Sequence, residues 1–485
     1  MISLSRTIII STWGSPSKWR CARYVYSNDN MIKESRSCSS CSSLPLLTTL
    51  YPNSDVVVIV LDSLVDYVKT GKEVKEVADS TCSYCYEVCF KPISSFNNYS
   101  DLECFVKDFA KCVIKCVYET DGFTLPNFEV VVGPSVGSPG GKWVFKGNAT
   151  DFIAKILLGL GVIFYRMCYN EIVLDLTHGI NFMPAEVLYL VRMLASLSIV
   201  AHNLKEVEVL VFNSDPYPSS GAGGGGICSV CSVMPELNLN LIYKEVVRGI
   251  YIPPRIPSKV LSVRFTPSEE LKKLRDELTK YVSITRYIVS SLLYPFPLAL
   301  CNSCNDLGTN IQDTLDEVLS KILSAWMNGI EVDADRKVVR RSIDLFVDSI
   351  YMFMLAAYTC KRVSEVGNLT EVSIKKLKNL SELYRSIIEP YEYLVKNELS
   401  KVELMCSNLE PDVCRNYSEL IGSSGLLDRK KPKEAGTPDS RVMIAHIGLQ
   451  QEFVEICNKA NECVVKYTTP YKELLRRRGL LIDEV

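Results

Sequence analysis

The chain has 485 residues, of which 47% are hydrophobic and 23% are charged, and its formal net charge is −2. This length predicts two or three domains, and the composition excludes a disordered or fibrous protein. A net charge near zero excludes a surface that binds polyanions over its whole extent, although it allows a local basic site. No stretch reaches the roughly 18 uncharged apolar residues of a membrane span. The chain is therefore expected to be cytoplasmic, without a membrane partner.

Alternating strands and helices are predicted for the first part of the chain. Apolar runs rich in valine and isoleucine predict five buried strands: Thr7–Ser11, Val56–Leu61, Glu129–Val132, Glu171–Leu176 and Val207–Phe212. Amphipathic segments between them predict helices, for example over 102–118 and 185–196. This alternation is typical of a mostly parallel, doubly wound sheet. The run Ser219–Gly226 predicts a surface loop.

From about residue 267 the pattern becomes helical. Long helices are predicted at Leu271–Leu293, Ile311–Trp326, Arg341–Ala357, Ser373–Leu399 and Arg441–Lys466. Residues 406–438 contain several prolines and glycines and are interpreted as an insertion or long exposed loop. The fold class is thus α/β followed by all-α: an α/β domain at 1–218, a loop and linker at 219–266, and a helical domain at 267–485.

Nineteen cysteines are many for a cytoplasmic chain. Four Cys-x-x-Cys pairs begin at Cys38, Cys82, Cys228 and Cys301. A zinc site needs two pairs at compact spacing, whereas these pairs are far apart in the sequence. Structural thiols or disulfides are therefore expected, with a metal site and redox chemistry as the less favoured alternatives.

Three glycine-containing motifs suggest common enzyme classes but lack the required context. Gly133–Gly137 matches the nucleophile elbow of serine hydrolases, yet Pro139 follows where a helix should begin. Gly141 and Lys142 precede Trp143 rather than the Ser or Thr of a phosphate-binding loop. The first strand is followed by TWGSP and not by the glycine motif of a dehydrogenase.

The chain has only three histidines, and His202 is interpreted as structural. His178 lies directly after a predicted strand, and ligands bind at the carboxyl ends of strands in open parallel sheets. An ordinary strand-end turn is the alternative. His446 follows Arg441 by five positions. Arginine can hold a phosphate and histidine can exchange protons near neutral pH, so the pair could promote attack by the 2′-hydroxyl of RNA. The alternative is an exposed arginine and a helical histidine without a catalytic role.

These motifs resemble the CARF–HEPN ancillary ribonucleases of type III CRISPR systems. The resemblance rests on TWGSPSKW at Thr12–Trp19, on DLTHGIN at Asp175–Asn181, on the Arg-x4-His motif and on the domain order. It implies a Rossmann-like CARF domain that binds a cyclic oligoadenylate across a homodimer, which could assemble further. It also implies a helical HEPN domain that cleaves single-stranded RNA when the ligand binds. The resemblance favours cyclic tetra-adenylate as the activator, and four phosphates on a two-fold ring suit two identical half-sites. No metal or other cofactor is expected.

The resemblance also implies roles for particular residues. Arg441 would stabilise the scissile phosphate, and His446 would act as the acid or base. The expected ligand site comprises Ser11, Thr12, Trp13, Gly14, Gly133, Pro134, Ser135, Thr177, His178, Gly179, Ile180 and Asn181. One position departs from the family pattern, since Val442 stands where asparagine often follows the arginine. Val442 favours the alternative function, a nucleotide-sensing binding and assembly protein without nuclease activity.

Overall fold

The computed structural model describes residues 6–27, 36–66, 81–91, 96–180, 182–218, 234–253, 259–264, 267–308, 310–365, 367–423, 440–460, 462–476 and 480–481. The strands are β1 (Thr7–Trp13), β2 (Ala22–Tyr26), β3 (Arg36–Ser40), β4 (Asp55–Leu61), β5 (Phe128–Gly133), β6 (Val144–Lys146), β7 (Glu171–His178), β8 (Val207–Ser214), β9 (Glu236–Val247), β10 (Leu261–Val263), β11 (Ile330–Asp333), β12 (Val338–Arg341), β13 (Ile343–Leu345), β14 (Val372–Ser373), β15 (Cys414–Asn416), β16 (Val454–Lys459) and β17 (Glu462–Tyr467). The helices are α1 (Leu44–Leu50), α2 (Thr81–Cys89), α3 (Tyr99–Asp121), α4 (Asp151–Arg166), α5 (Met183–His202), α6 (Glu269–Leu293), α7 (Pro297–Leu307), α8 (Ile311–Asn328), α9 (Val347–Ser364), α10 (Ile374–Asn379), α11 (Ser381–Arg385), α12 (Glu389–Cys406), α13 (Tyr417–Ser423), α14 (Ser440–Ala445) and α15 (Tyr471–Arg476).

An eight-stranded sheet organises the N-terminal half, in the order β3-β2-β9-β8-β7-β1-β4-β5. The five strands β5, β4, β1, β7 and β8 run parallel, which confirms the predicted strands and the doubly wound fold. Their apolar runs are buried on both faces, as the fully buried Ile8, Ile9 and Ile10 of β1 show. In this order the chain reverses its direction of winding between β1 and β7, where open sheets bind ligands.

The sheet extends into the segment predicted as a loop and linker, 219–266. Strand β9 lies there and pairs antiparallel with β8 from Leu239 to Val247. Its first part alternates buried Leu237 and Leu239 with exposed asparagines, the two-residue period of a strand packed on one face. Strand β9 thus belongs to the large sheet although it follows the boundary predicted at residue 218. The loop predicted at Ser219–Gly226 lies outside the described residues.

The two halves of the chain share one hydrophobic core. Helix α9 is buried along almost its whole length, and it packs on α4 and α5 of the N-terminal half as well as on α6 and α7. Helix α5 is long and apolar enough to cross a membrane by length and composition, but 67% of its most apolar window is buried inside the protein. That burial is typical of a core helix.

The helix predicted at Arg441–Lys466 is wrong beyond residue 445. Helix α14 ends at Ala445, and both Ile447 and Gly448 adopt positive φ values of 51° and 77°. The chain then forms the antiparallel pair β16–β17. Alternating apolar residues such as Val454 and Ile456 suit a strand, and the positive-φ turn stops the helix before them.

Two other predicted helices differ in detail. The segment 341–357 begins as strands β12 and β13, so α9 starts only at Val347, and 373–399 is divided into α10, α11 and the first part of α12. The predicted insertion contains β15, which pairs with β16, and α13. Residues 424–439 lie outside the described part of the chain.

Disulfides join many of the cysteines, as one of the alternatives predicted. The described bridges are Cys41–Cys82, Cys85–Cys116, Cys89–Cys112, Cys304–Cys360, Cys406–Cys463 and Cys414–Cys457. In the three Cys-x-x-Cys pairs that the structure describes, no disulfide joins the two members of one pair. Cys41, Cys82, Cys85 and Cys304 form disulfides with cysteines outside their own pair, and Cys38 and Cys301 are free buried thiols. The pairs therefore connect separate elements and do not act as units.

Candidate functional site

A cleft opens at the carboxyl ends of β7 and β8, beside the end of β1. Its volume is about 600 Å³. The lining residues are Trp19, Arg20, Tyr24, Thr177, His178, Asn213, Ser214, Asp215, Pro216, Tyr217, Pro218 and Leu237. Four of them are aromatic or histidine rings, and Arg20 is a cation whose guanidinium lies 5.5 Å from the centre of the Tyr217 ring. Rings that can stack on bases beside a cation that can bind phosphate suit a nucleotide.

His178 is held between two aromatic side chains at the floor of this cleft. Its ring stacks on Trp19 with 3.9 Å between the centroids, and its Nε2 lies 3.4 Å from the hydroxyl of Tyr24. Burial lowers the pKa of His178 to about 4, although the nearby Asp175 carboxylate acts in the opposite direction. The imidazole is therefore neutral at physiological pH and can take part in hydrogen bonding and stacking.

Ser11, Thr12 and Trp13, the predicted ligand-site residues at the end of β1, lie in the protein interior beside the cleft. Ser11, Thr12 and Trp13 are almost completely buried. The Asp175 carboxylate accepts a hydrogen bond from the Ser11 hydroxyl at 2.8 Å and from the Ser43 hydroxyl at 2.9 Å. The first bond joins β1 to β7 and the second joins the start of α1 to β7, so Ser11, Thr12 and Trp13 shape the site rather than line it.

Gly14 and Gly179 allow the two loops that follow β1 and β7 to approach each other. The Gly14 amide donates to the carbonyl of His178 at 2.8 Å. A Cβ atom on Gly14 would lie 2.6 Å from a methyl group of Ile180, and one on Gly179 would lie 2.5 Å from the Thr12 hydroxyl. Nearby, the buried Thr177 hydroxyl has no hydrogen-bond partner among the described residues. Asn181, also predicted to bind ligand, lies outside them.

The structure does not bring Gly133, Pro134 and Ser135 together with His178. Gly133 ends β5, at the far edge of the sheet, Pro134 and Ser135 follow it, and Ser135 is fully buried. The Ser135 amide donates to Asp62 at 2.7 Å, and its carbonyl accepts from Arg341 at 2.7 Å. This segment therefore contacts the helical half of the chain.

Arg341 forms a buried charge cluster there with two carboxylates. Its side chain is fully buried and lies 3.4 Å from Asp151 and 4.0 Å from Asp62. Burial raises the pKa of both carboxyl groups, and the guanidinium opposes that rise. Asp62 follows β4, Asp151 begins α4 and Arg341 ends β12, so the cluster joins the carboxyl edge of the sheet to the helical half.

Arg441 and His446 both reach the surface of the helical half, at the two ends of α14. Arg441 is exposed in the first turn of α14, and His446 follows the end of that helix. The His446 Nδ1 atom lies 3.0 Å from Oε2 of Glu398 on α12, and 38% of the histidine side chain is exposed. Val442 is also 37% exposed, so it leaves the surface beside Arg441 apolar. A cation and an imidazole on one accessible surface are suited to phosphodiester chemistry.

Sequence reasoning missed Trp19, Tyr24 and Glu398 as site residues. Trp19 is the last residue of the TWGSPSKW motif, and Tyr24 is the next aromatic residue along the chain. Their closeness to the motif in the sequence was a signal that could have identified both as site residues. Glu398 falls on the face of α12 that otherwise buries Val395, Leu399 and Val402. A single acidic residue on an apolar helix face was the signal for a buried partner.

The described residues contain one group of possible metal ligands, formed by Cys414, Glu455 and Cys457. The two cysteines are joined in a disulfide, so neither offers a thiolate. The group lies on β15 and β16 and includes none of the predicted site residues.

Comparisons with known proteins agree with this arrangement. The family model described as the CARF domain of the CRISPR system endoribonuclease Csx1 matches residues 8–216, and the model of the Csx1 HEPN domain matches residues 388–469. The first match contains His178 and most of the residues that line its cleft, and the second contains Glu398, Arg441 and His446. A relative from Methanocaldococcus jannaschii, named CRISPR system endoribonuclease Csx1, is 22% identical over 98% of this chain and 92% of its own length. The chain belongs to the Csx1 family of CARF–HEPN nucleases of CRISPR systems.

Proposed function

We propose that this chain is an endoribonuclease of type III CRISPR defence. Its activator would be a cyclic oligoadenylate, most simply cyclic tetra-adenylate. The observation that carries the proposal is the accessible pair Arg441 and His446 within the matched HEPN segment. Most of the cleft around His178 lies within the matched CARF segment, and its rings and Arg20 suit adenine bases and phosphates. A homodimer would place two such clefts around a two-fold ring.

The cleavage step needs only groups that the RNA and this chain supply. His446 removes the proton from the 2′-hydroxyl, the 2′-oxygen forms a bond to phosphorus, and the bond from phosphorus to the 5′-oxygen breaks. The imidazolium then returns its proton to the 5′-oxygen, while Arg441 stabilises the charge that develops on the phosphate. The products are a 2′,3′-cyclic phosphate and a 5′-hydroxyl. Since the nucleophile belongs to the RNA, we propose a metal-independent reaction.

The test is cleavage of a labelled single-stranded RNA with and without cyclic tetra-adenylate, in the presence of excess EDTA. We expect cleavage only with the activator. His446→Ala and Arg441→Ala should each lower the rate by about 10²-fold or more, while both variants still bind the activator in calorimetry. Arg415→Ala is the matched control, because Arg415 is exposed on β15 of the same half of the chain.

Three outcomes would contradict the proposal. Activator-bound protein that cleaves no RNA would favour the binding and assembly function that Val442 suggests. Cleavage that EDTA abolishes and Mg²⁺ restores would refute the metal-independent step. Activation by cyclic hexa-adenylate and not by the tetra-adenylate ring would refute the assigned ring size.

The cleft itself is tested with Trp19→Ala, which removes the ring stacked on His178. Stacking contributes about 1–3 kcal/mol per base, so half-maximal activation should require at least fivefold more activator. The maximal rate should be retained, because a ligand acts only through its different affinity for the resting and active states. Unchanged activator affinity would exclude this cleft as the binding site.

A further inference from the structure

A buried carboxylate lies directly behind the histidine of the nuclease centre. Glu398 is only 7% exposed, and its Oε2 atom is 3.0 Å from Nδ1 of His446. Its other oxygen pairs with the ammonium of Lys401, one turn further along α12. Burying a carboxylate is costly unless it is paired and hydrogen-bonded, and here both oxygens have a cationic or N–H partner. The pair Glu398–Lys401 therefore fixes the orientation of the carboxylate.

The backbone around His446 is also constrained. The amide of Gly448 donates to the carbonyl of Met443 at 2.7 Å, and Ile447 and Gly448 turn the chain through positive φ values. A Cβ atom on Gly448 would lie 3.0 Å from Phe296, so the turn packs closely on α7 and the residues before it. The imidazole is thus held from two sides, by its backbone turn and by Glu398.

The contact determines which ring nitrogen carries the proton. A carboxylate can only accept a hydrogen bond, so the Nδ1 atom facing Glu398 must donate. In the neutral imidazole the single proton then resides on Nδ1, and Nε2 has a free lone pair on the opposite side of the ring. With 38% of the side chain exposed, that side can be reached by a substrate.

We propose that Glu398 is a positioning residue of the nuclease centre, which holds His446 in the Nδ1-protonated tautomer with Nε2 directed at the RNA. This inference rests on the proposed ribonuclease function. Because Glu398 is buried behind His446, it is assigned an indirect role and acts through the imidazole. It makes His446 ready to accept the 2′-proton without a prior change of tautomer, and it stabilises the imidazolium that forms.

The test is the tautomer of His446, measured from imidazole nitrogen shifts in full-length protein labelled with ¹⁵N-histidine. The chain has only three histidines, and His446→Ala identifies the resonance that belongs to His446. We expect the Nδ1–H tautomer in the wild-type protein at a pH where the ring is neutral. In Glu398→Gln the tautomer preference should be lost, because the amide can either donate or accept. Glu403→Gln, on the same helix and paired with Lys378, is the matched control and should leave the tautomer unchanged.

Kinetics supply the second readout. Glu398→Gln should lower kcat at least tenfold with little change in KM, while Glu403→Gln keeps the wild-type values. Arg441→Ala should lower kcat but keep the Nδ1–H tautomer. A wild-type Nε2–H tautomer, or a Glu398→Gln variant with wild-type kcat, would overturn the assignment. If the wild-type chain cleaves no RNA, the proposed function fails, and the tautomer measurement still decides whether Glu398 orients His446.

Discussion

Replacing Arg341 by alanine tests whether the buried charge cluster holds the two halves of the chain together. The substitution leaves the Asp62 and Asp151 carboxylates buried without their cation. Breaking a buried ion pair by removing one partner costs about 3–5 kcal/mol. Unfolding entropy is about 2.1 cal/mol/K per residue, which for 485 residues gives about 1 kcal/mol per degree. If the shared core unfolds in one transition, Tm should therefore fall by about 3–5 °C.

The pH dependence of this loss provides a sharper check. Burial already raises the pKa of Asp62 and Asp151, and removal of the guanidinium should raise both further. The folded variant then binds more protons than the unfolded chain, so its stability decreases as the pH rises above the ordinary carboxyl pKa. Calorimetric scans should show a smaller loss at pH 5 than at pH 8.

Arg340→Ala is the control for this experiment. Arg340 is the neighbouring residue, but its ion pair with Glu331 lies at the surface. Its removal should change stability by no more than about 1 kcal/mol. An Arg341→Ala variant that melts within a degree of the wild type, or that loses the same stability at pH 5 and pH 8, would refute the reasoning.

Two further predictions concern stability. Cys406→Ser opens the bridge to Cys463, which closes a loop with a sequence separation of 57, and should cost about 4 kcal/mol on the chain-entropy estimate; Cys104→Ser, at an exposed free thiol, should cost nothing measurable in the same melts. Burial lowers the pKa of His178 to about 4 in the folded chain. As the pH falls below the usual histidine range, His178 is therefore protonated in the unfolded chain at a higher pH than in the folded chain. Acidification from pH 7 to pH 5 should thus cost roughly 2 kcal/mol through His178, a loss that His178→Gln should remove; an unchanged pH profile in that variant would show that His178 titrates normally.

The sequence predicted the parallel sheet well because each of its strands is a continuous apolar run buried on both faces. It also predicted the loops after β1 and β7, whose motifs carry their own turn residues. The position of Ser135 could not be predicted in the same way. Its burial depends on Arg341, which is distant in the sequence and reaches it only through the packing of the two halves.

The error in the last helix has a local cause. Residues 441–466 contain enough apolar residues to satisfy a helical period, but Ile447 and Gly448 adopt positive φ, and α14 ends after 6 residues. The strand character of the following hairpin depends on pairing between β15, β16 and β17 and on two disulfides. The role of Glu398 could not be predicted for a related reason, since its partner His446 lies 48 residues further along the chain, just after α14.

The shared core around α9 prevents the two halves of the chain from being produced as independent fragments. Because α9 packs on α4 and α5 as well as on α6 and α7, a fragment cut after the large sheet would expose the apolar faces of two long helices. The two halves of this chain are therefore not separable modules joined by a flexible linker. If one half were exchanged for the same half of a relative, the new half would need a surface complementary to its partner at α9. Recombination between relatives should therefore keep both halves from the same parent.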